Sequence, residues 1–364
     1  MSSEWKFEWL TSWDDVWSPS FITEWQSWMD KSTDAHVFFE SSIVKAWAEA
    51  YSAILNIEPR FLVARSEADA TIFYPLIYVR GGWKDAWQRS ILAAGYSDFD
   101  YHDPVLVSGN STKDMETFWP EFERDIFHYW AKECDVFLIN GLRSVSLPNN
   151  HTYPRVGSAP WIDLSSSNSL EDLFQGSGKK LRQNIRYQTR RLQKEGNLFL
   201  RHFKLDETEA AKDTLKDFLK TRAERWPEAY NLPDFFKSIV ERVLPTGFLH
   251  FSELQLNSQP ISWVLGFIYK KRFYYYIPVL RADMANYSPG KVHLSMLIEK
   301  AIAAGIEVFD LLKGVEPYKM QWTNNVSNLF SLELKRHGIR SEAIQVWQKQ
   351  IRPKVVKIKR KLIN

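Results

Sequence analysis

The stretch Asn286-Tyr287-Ser288-Pro289-Gly290-Lys291, followed through to Tyr318-Lys319-Met320-Gln321-Trp322, decides how the rest of the chain is read. Ser288-Pro289-Gly290 is a turn signal, and the Gly290 and Lys291 amides then open a helix. Leu294, Leu297, Ile298, Ala301 and Ile302 recur at three and four residues, the spacing of one buried helical face. Gly305 ends the helix, since glycine tolerates the left-handed turn that closes one. Glu307-Val308-Phe309-Asp310-Leu311-Leu312 predicts a short strand, and Lys313-Gly314-Val315-Glu316-Pro317 breaks it. Turn, helix and strand, with unpaired amides at the helix N-terminus, suit a phosphate-bearing ligand.

Composition sets the frame around this stretch. A chain of 364 residues exceeds one ordinary core, so two domains are expected. At 45% hydrophobic and 25% charged residues it is a globular rather than a disordered sequence. Tryptophan is heavily used, with Trp5, Trp9, Trp13, Trp17, Trp25 and Trp28 close to the start; packing under amphipathic helices is expected of them. A net charge of +3 argues for no particular partner. The single cysteine, Cys134, excludes an internal disulfide and a cysteine-based metal site. The opening decapeptide lacks the basic start and apolar run of a signal peptide. The longest apolar stretch, Ile261 to Leu280, is interrupted by Lys270, Lys271 and Arg272, so no membrane span is expected. These features together predict a soluble cytoplasmic protein.

Upstream, residues 20–55 read as helical, with Trp25, Trp28 and Met29 on one stripe and Ser41-Ser42 as caps. Phe61–Arg65 and Thr71–Val79 read as two strands of a hairpin. Ser97 to Pro104 is a dense polar loop, as turn residues usually are. A helix from about Lys113 to Lys132 precedes a strand at Val136–Ile139. Residues 144–177, rich in Ser, Asn, Pro and Gly, hold one strand at Trp161–Leu164 and are the expected interdomain connection.

The most basic segment follows: Lys179, Lys180, Arg182, Arg186, Arg190, Arg191 and Lys194. Leu181, Ile185 and Leu192 give it a thin apolar stripe, while Arg182, Arg186 and Arg190 recur at four-residue spacing and project together. In the sequence only Glu195 answers this charge, so an anionic partner is expected: a phosphate-rich ligand, a nucleic acid, or acidic residues elsewhere in the chain. Two helices then precede a three-stranded antiparallel meander at Phe248–Leu254, Ile261–Tyr269 and Phe273–Val279. Asn328 to Arg336 is a further strand candidate.

Two helices, a meander, then turn, helix and strand is the element order of the GNAT acetyltransferase core. The basic helix from Lys179 to Gly196, the Ser288-Pro289-Gly290 turn and the series Asp310, Gly314, Tyr318-Lys319 together resemble the GNAT-like acyltransferases grouped with the CelD cellulose-biosynthesis proteins, relatives of the FemAB peptidyltransferases. The matching residues cover roughly 170–335. The resemblance implies an α/β chain of two tandem GNAT-like domains: 1-160, then 161-345 with the donor site, and a basic tail over 346-364.

It also implies direct acyl transfer from acyl-CoA to an amine, with no metal. Ser288, Gly290 and Lys291 would hold the donor's phosphates, and Arg182, Arg186 and Gly314 the acceptor. Lys319 would steady the oxyanion or a phosphate, Tyr318 would protonate the leaving group, and Asp310 would position the amine or lower the barrier to its deprotonation. Plainer structural roles stand beside these: Tyr318 packs, Lys319 pairs with Glu316, and Asp310 caps a turn. The sequence departs from the usual GNAT pyrophosphate loop, which carries a longer Gln/Arg-x-x-Gly-x-Gly/Ala run. The implied acceptor is a small amine of a sugar or a cell-envelope or polysaccharide precursor. Fem-like transfer from aminoacyl-tRNA and a non-catalytic anion-binding module are the alternatives. His293 and His337 have no metal-ligand spacing, and hydrolase and Walker signatures are absent.

Overall fold

The computed structural model describes residues 5–107, 111–130, 133–147, 153–176, 179–225 and 234–353. The first residues of the opening decapeptide and the basic tail from residue 354 lie outside the described residues. The chain divides into two compact units. Met1–Val44, Tyr51–Val156 and Leu329–Asn364 form one, and Lys45–Ala50 with Gly157–Asn328 form the other. This differs from the expected 1-160 and 161-345 division chiefly after Leu329, where the chain joins the first unit.

The first unit contains β1 Trp5–Leu10, α1 Trp13–Val16, α2 Pro19–Lys31, α3 Ser41–Ser52, β2 Ile57–Pro59, β3 Phe61–Ser66, β4 Thr71–Tyr74, β5 Leu76–Arg80, β6 Arg89–Ala93, β7 Val105–Val107, α4 Ser111–Tyr129 and β8 Val136–Arg143. Helix α2 starts where the Ser18 hydroxyl accepts from the Phe21 amide, with Pro19 in the first turn. Its buried face sets Trp25 4.9 Å and Trp28 5.1 Å from the Phe73 ring. Trp5 and Trp9 depart from the expected helical packing. They lie on β1, paired antiparallel with β3 from Trp5↔Ser66 to Leu10↔Phe61. The expected strand Thr71–Val79 is two strands, because Pro75 has no amide to donate to a ladder. Strand β4 joins an antiparallel sheet ordered β1-β3-β4-β7, whereas β5 pairs with β2 and β6.

The second unit contains β9 Arg155–Asp163, α5 Leu170–Gly176, α6 Lys179–Glu195, β10 Leu198–His202, α7 Thr208–Arg225, α8 Phe235–Val243, β11 Leu249–Leu256, β12 Gln259–Tyr269, β13 Arg272–Leu280, α9 Pro289–Ala303 and β14 Val308–Asp310. Its sheet runs β10-β11-β12-β13-β14-β9. The meander is β11, β12 and β13, antiparallel throughout. Its hairpins turn at Asn257-Ser258 and Lys270-Lys271, all four with positive φ, as two-residue loops that match strand twist require. The apolar stretch Ile261–Leu280 is thus a hairpin. Among the described residues no helix is long and apolar enough to cross a membrane. Strand β15 Val326–Lys335 and helix α10 Ile339–Val346, continued by a π-helical turn at Trp347–Ile351, close the described chain.

Strand β14 is shorter than the sequence predicts. Leu312 takes a left-handed φ of 59°, which ends the extended run two residues after Asp310. The strand still fixes the core: Phe309 is fully buried and stacks on Phe273 with centroids 4.6 Å apart and planes 5° from parallel. Helix α9 covers this sheet through Val292, Leu294, Leu297, Ile298 and Ala301. Truncating Phe309→Ala should lower the unfolding free energy by about 3–5 kcal/mol, read from the urea midpoint. An unchanged midpoint would show that β14 is not part of the cooperative core.

Candidate active site

The site begins where β13 and β14 part. They pair in parallel at only three positions, Arg272↔Val308, Phe273↔Phe309 and Tyr274↔Asp310. Beyond Tyr274, β13 continues to Leu280, still paired with β12, while the chain after Asp310 turns away. The edge of β13 from Tyr275 onward therefore faces a fork rather than β14.

Asp310 stands at the apex of the fork and is 2% exposed. One carboxylate oxygen accepts from Leu312 N at 2.9 Å and the other from Arg272 Nη1 at 3.0 Å. It thus holds the left-handed turn that steers the chain out of the sheet. Lys319, 5% exposed, donates to the Lys313 carbonyl at 3.0 Å and pairs with Glu316 at 3.0 Å. Gly314 has a φ of 115°, and a side chain there would collide with the Glu316 carboxylate. Its amide donates to Ser158 O at 2.8 Å. Tyr318 is partly buried. Burial, then Glu316, pushes its phenol above its ordinary pKa. Burial, then Tyr318, does the same to the Tyr275 phenol on the open half of β13. Both phenols are therefore protonated and neutral at physiological pH.

The helix that opens at Ser288 supplies the other wall. Ser288 is left-handed (φ 51°), and its side chain makes no capping bond to α9. The Lys291 amide donates to Ser288 O at 3.0 Å, so the expected pair of anion-ready amides is reduced. Gly290 N remains a first-turn amide of the kind a helix leaves without an internal partner. A Cβ on Gly290 would lie 3.2 Å from Leu280 Cδ2, which brings the helix start against the end of β13.

Helix α6 meets this turn. Arg191 donates to Asn286 O at 3.0 Å and lies over the Tyr287 ring at 4.7 Å, and Lys291 Nζ reaches Asn184 Oδ1 at 3.4 Å. The structure thus brings the basic helix and the Ser288 turn together. Arg182 and Arg186, however, both pair with Glu171 on α5, at 2.9 and 2.8 Å. For these two arginines the expected anionic partner is an acidic residue elsewhere in the chain, Glu171, while Glu195 accepts from the Tyr287 hydroxyl at 3.1 Å.

Sequence reasoning missed a buried polar chain beneath α9. His250 Nε2 contacts Ser252 Oγ at 3.0 Å, Ser252 Oγ contacts His293 Nε2 at 3.1 Å, and His293 Nδ1 contacts Ser262 Oγ at 3.1 Å. Ser262 Oγ donates to Val279 O at 3.1 Å. That last bond assigns the others: His293 carries its proton on Nδ1, and His250 on Nε2. Each link then donates in the same direction, and α9 is tied to β11, β12 and β13 at the start of the fork. The signal in the sequence was Ser252 and Ser262 at buried positions of two neighbouring strands. Among the described residues no group of three His, Cys, Asp or Glu side chains is placed to hold a metal.

Burial holds both histidines far below their usual pKa, to about 3, with His202 depressing His250 further and His250 depressing His293. A histidine protonated in the unfolded chain and neutral in the folded one stabilises the fold fully above about pH 6.5. That stability is lost as pH falls toward the folded value. Urea stability should therefore decline from about pH 6.5 to pH 4 at up to ~1.4 kcal/mol per unit per histidine. The decline should be shallower in His250→Gln, and an equal slope in both proteins would refute the assignment.

Residues 179–320 match the family model described as the acetyltransferase (GNAT) domain, which lies within the second unit. The whole chain is similar to several solved structures. FemX has a TM-score of 0.62 at 9% identity, with 90% of this chain and 98% of that one covered. The C-terminal domain of a putative lysylphosphatidylglycerol synthetase from Agrobacterium fabrum has a TM-score of 0.55 at 14% identity, covering 90% and 96%. A tandem GNAT protein from the clavulanic acid biosynthesis pathway has a TM-score of 0.50 at 9% identity, covering 92% and 100%. The comparison with curated proteins gave no match. At these identities the structural likeness establishes the fold alone: mixed α/β, of the tandem GNAT kind. The domain match adds the reaction class, and the second unit carries the GNAT domain of an acyltransferase.

Proposed function

We propose that this chain transfers an acyl group from acyl-CoA to an amino group of a sugar or related cell-envelope or polysaccharide precursor, in the manner of the CelD-type proteins and in the cytoplasm. The observation that carries the reading is the fork between β13 and β14, opening beside the N-terminus of α9 within a GNAT domain. The acyl chain lies along the open edge of β13, where backbone N–H groups polarise its carbonyl. The donor's phosphates are held by the Gly290 amide, Ser288 and the cations Lys291 and Arg191.

The amine nitrogen attacks the thioester carbonyl; a C–N bond forms, the C–S bond breaks, and the amine's proton passes through solvent water to the Tyr318 phenolate left once the sulfur is protonated. Tyr318, kept protonated by burial and Glu316, gives a proton to the departing sulfur. Lys319 steadies the developing negative charge, and Asp310 aims the acceptor by fixing the strand end. Arg182, Arg186 and Gly314 stand on the acceptor side.

Incubation with acyl-CoA should release thiol only when the amine acceptor is added. Arg191→Ala should raise KM for acyl-CoA by about tenfold with kcat little changed, whereas Tyr318→Phe should lower kcat by about 100-fold. The absence of CoA binding by calorimetry would overturn the reading. Fem-like transfer from aminoacyl-tRNA is the second reading, favoured by the exposed cations Lys179, Lys180, Arg190 and Lys194 along α6. It requires tRNA retention that falls steeply with added salt.

A further inference from the structure

The first unit carries its own fork. Strands β6 and β8 pair in parallel at Ser90↔Val136, Ile91↔Phe137 and Leu92↔Leu138; β6 then ends at Ala93, while β8 runs on to Arg143. At this point lies a cavity of about 350 Å³, roofed by α10 and the π-helical turn that follows it. At roughly 30 Å³ per water, that is room for about a dozen water-sized volumes, the size of one sugar ring with its substituents.

Its lining chemistry differs from that of the second unit. Leu92, Val136 and Leu138 make an apolar floor. The carboxylates at its edge are already neutralised: Asp135 lies 2.6 Å from Arg89 and 3.0 Å from Arg340, and Glu333 lies 2.6 Å from Lys335. Ser90, Asn140, Ser341 and Gln345 add neutral hydrogen-bonding groups to the wall, and Lys349 adds a cation. Gln348 donates to the Gln88 carbonyl at 2.7 Å, which leaves the Gln88 amide N–H groups and the Gln348 carbonyl available. Carboxamides and hydroxyls over an apolar floor complement a ring that carries hydroxyls at its rim and C–H groups on its face. A π-helical turn supplying Gln348 and Lys349 is a further feature frequent at ligand sites.

We propose that this cavity binds a neutral, hydroxyl-rich ligand of single-sugar size, at a site separate from the acyl-donor fork of the second unit. The test is calorimetric titration of the full chain with glucose, galactose and N-acetylglucosamine, with glucose 6-phosphate as the charged counterpart. At least one neutral sugar should bind with a Kd near or below about 1 mM. Asn140→Leu and Gln345→Leu should each weaken it by about tenfold, because each leaves ligand hydroxyls without a partner. Leu138→Trp, which fills the floor, should abolish binding, and Arg191→Ala should leave it unchanged. The proposal is overturned if no neutral sugar binds, if the phosphorylated sugar binds more tightly, or if the two leucine variants bind as well as the parent while melting at the same temperature. No acyl donor is present in the titration, so its failure leaves the acyl-transfer reading standing, and failure of that reading leaves this one untouched.

Discussion

Three residue pairs between β13 and β14 are the contact on which the second unit depends. Parallel strands need a crossover, and here it is α9. The crossover places a helix N-terminus beside the end of β13, while the brevity of the pairing leaves the rest of that strand open. Had β14 run on, backbone would have filled the fork. What stops it is local: Asp310 accepts from Leu312 N and Arg272, and Leu312 takes a conformation that costs a β-extended residue roughly 1–2 kcal/mol. The carboxylate that ends the strand thus also shapes the space beside it.

That constraint bears on what Asp310 and Lys319 can do. The plainer roles that the sequence allowed them are present: Lys319 pairs with Glu316, and Asp310 accepts from the turn amide of Leu312. A carboxylate bonded to a guanidinium and an amide is a rigid fixture. A buried ammonium bonded to a carbonyl and a carboxylate is likewise held in one place. Preorganised groups of this kind contribute by being fixed before the reaction starts, with little reorganisation during it. Tyr318 is different in kind, since its phenol is partly buried and protonated.

How much of this was legible in the sequence follows from the range of the interactions. The meander, α9 and its glycine stop were readable because alternation and 3.6-residue periodicity are local signals. The Pro75 break was readable in principle from the missing amide, yet the alternating pattern on either side concealed it. Strand β1 was obscured by its tryptophans, which suit a strand or a helix stripe equally, and only pairing with β3 decides. The charge balance of α6 was illegible because Glu171 answers Arg186 from another helix, fifteen positions away. The histidine chain was hidden for the same reason: its members are 250, 252, 262 and 293, and only the sheet brings them together.

The two forks share one topological cause and differ in what surrounds them. In the second unit α9 begins next to its strand, bringing a positive helix end and the cations Lys291 and Arg191. In the first, β6 is followed by a loop over residues 94–104, in which Asp103 is committed to Arg143 and the His102 carbonyl accepts from the Tyr74 hydroxyl. There the carboxylates Asp135 and Glu333 are neutralised by Arg89, Arg340 and Lys335, and Lys349 lines the cavity. A duplicated architecture thus surrounds its two forks with different side chains. The strand pairing supplies the space, and the few residues that follow each parted strand decide which chemistry fills it.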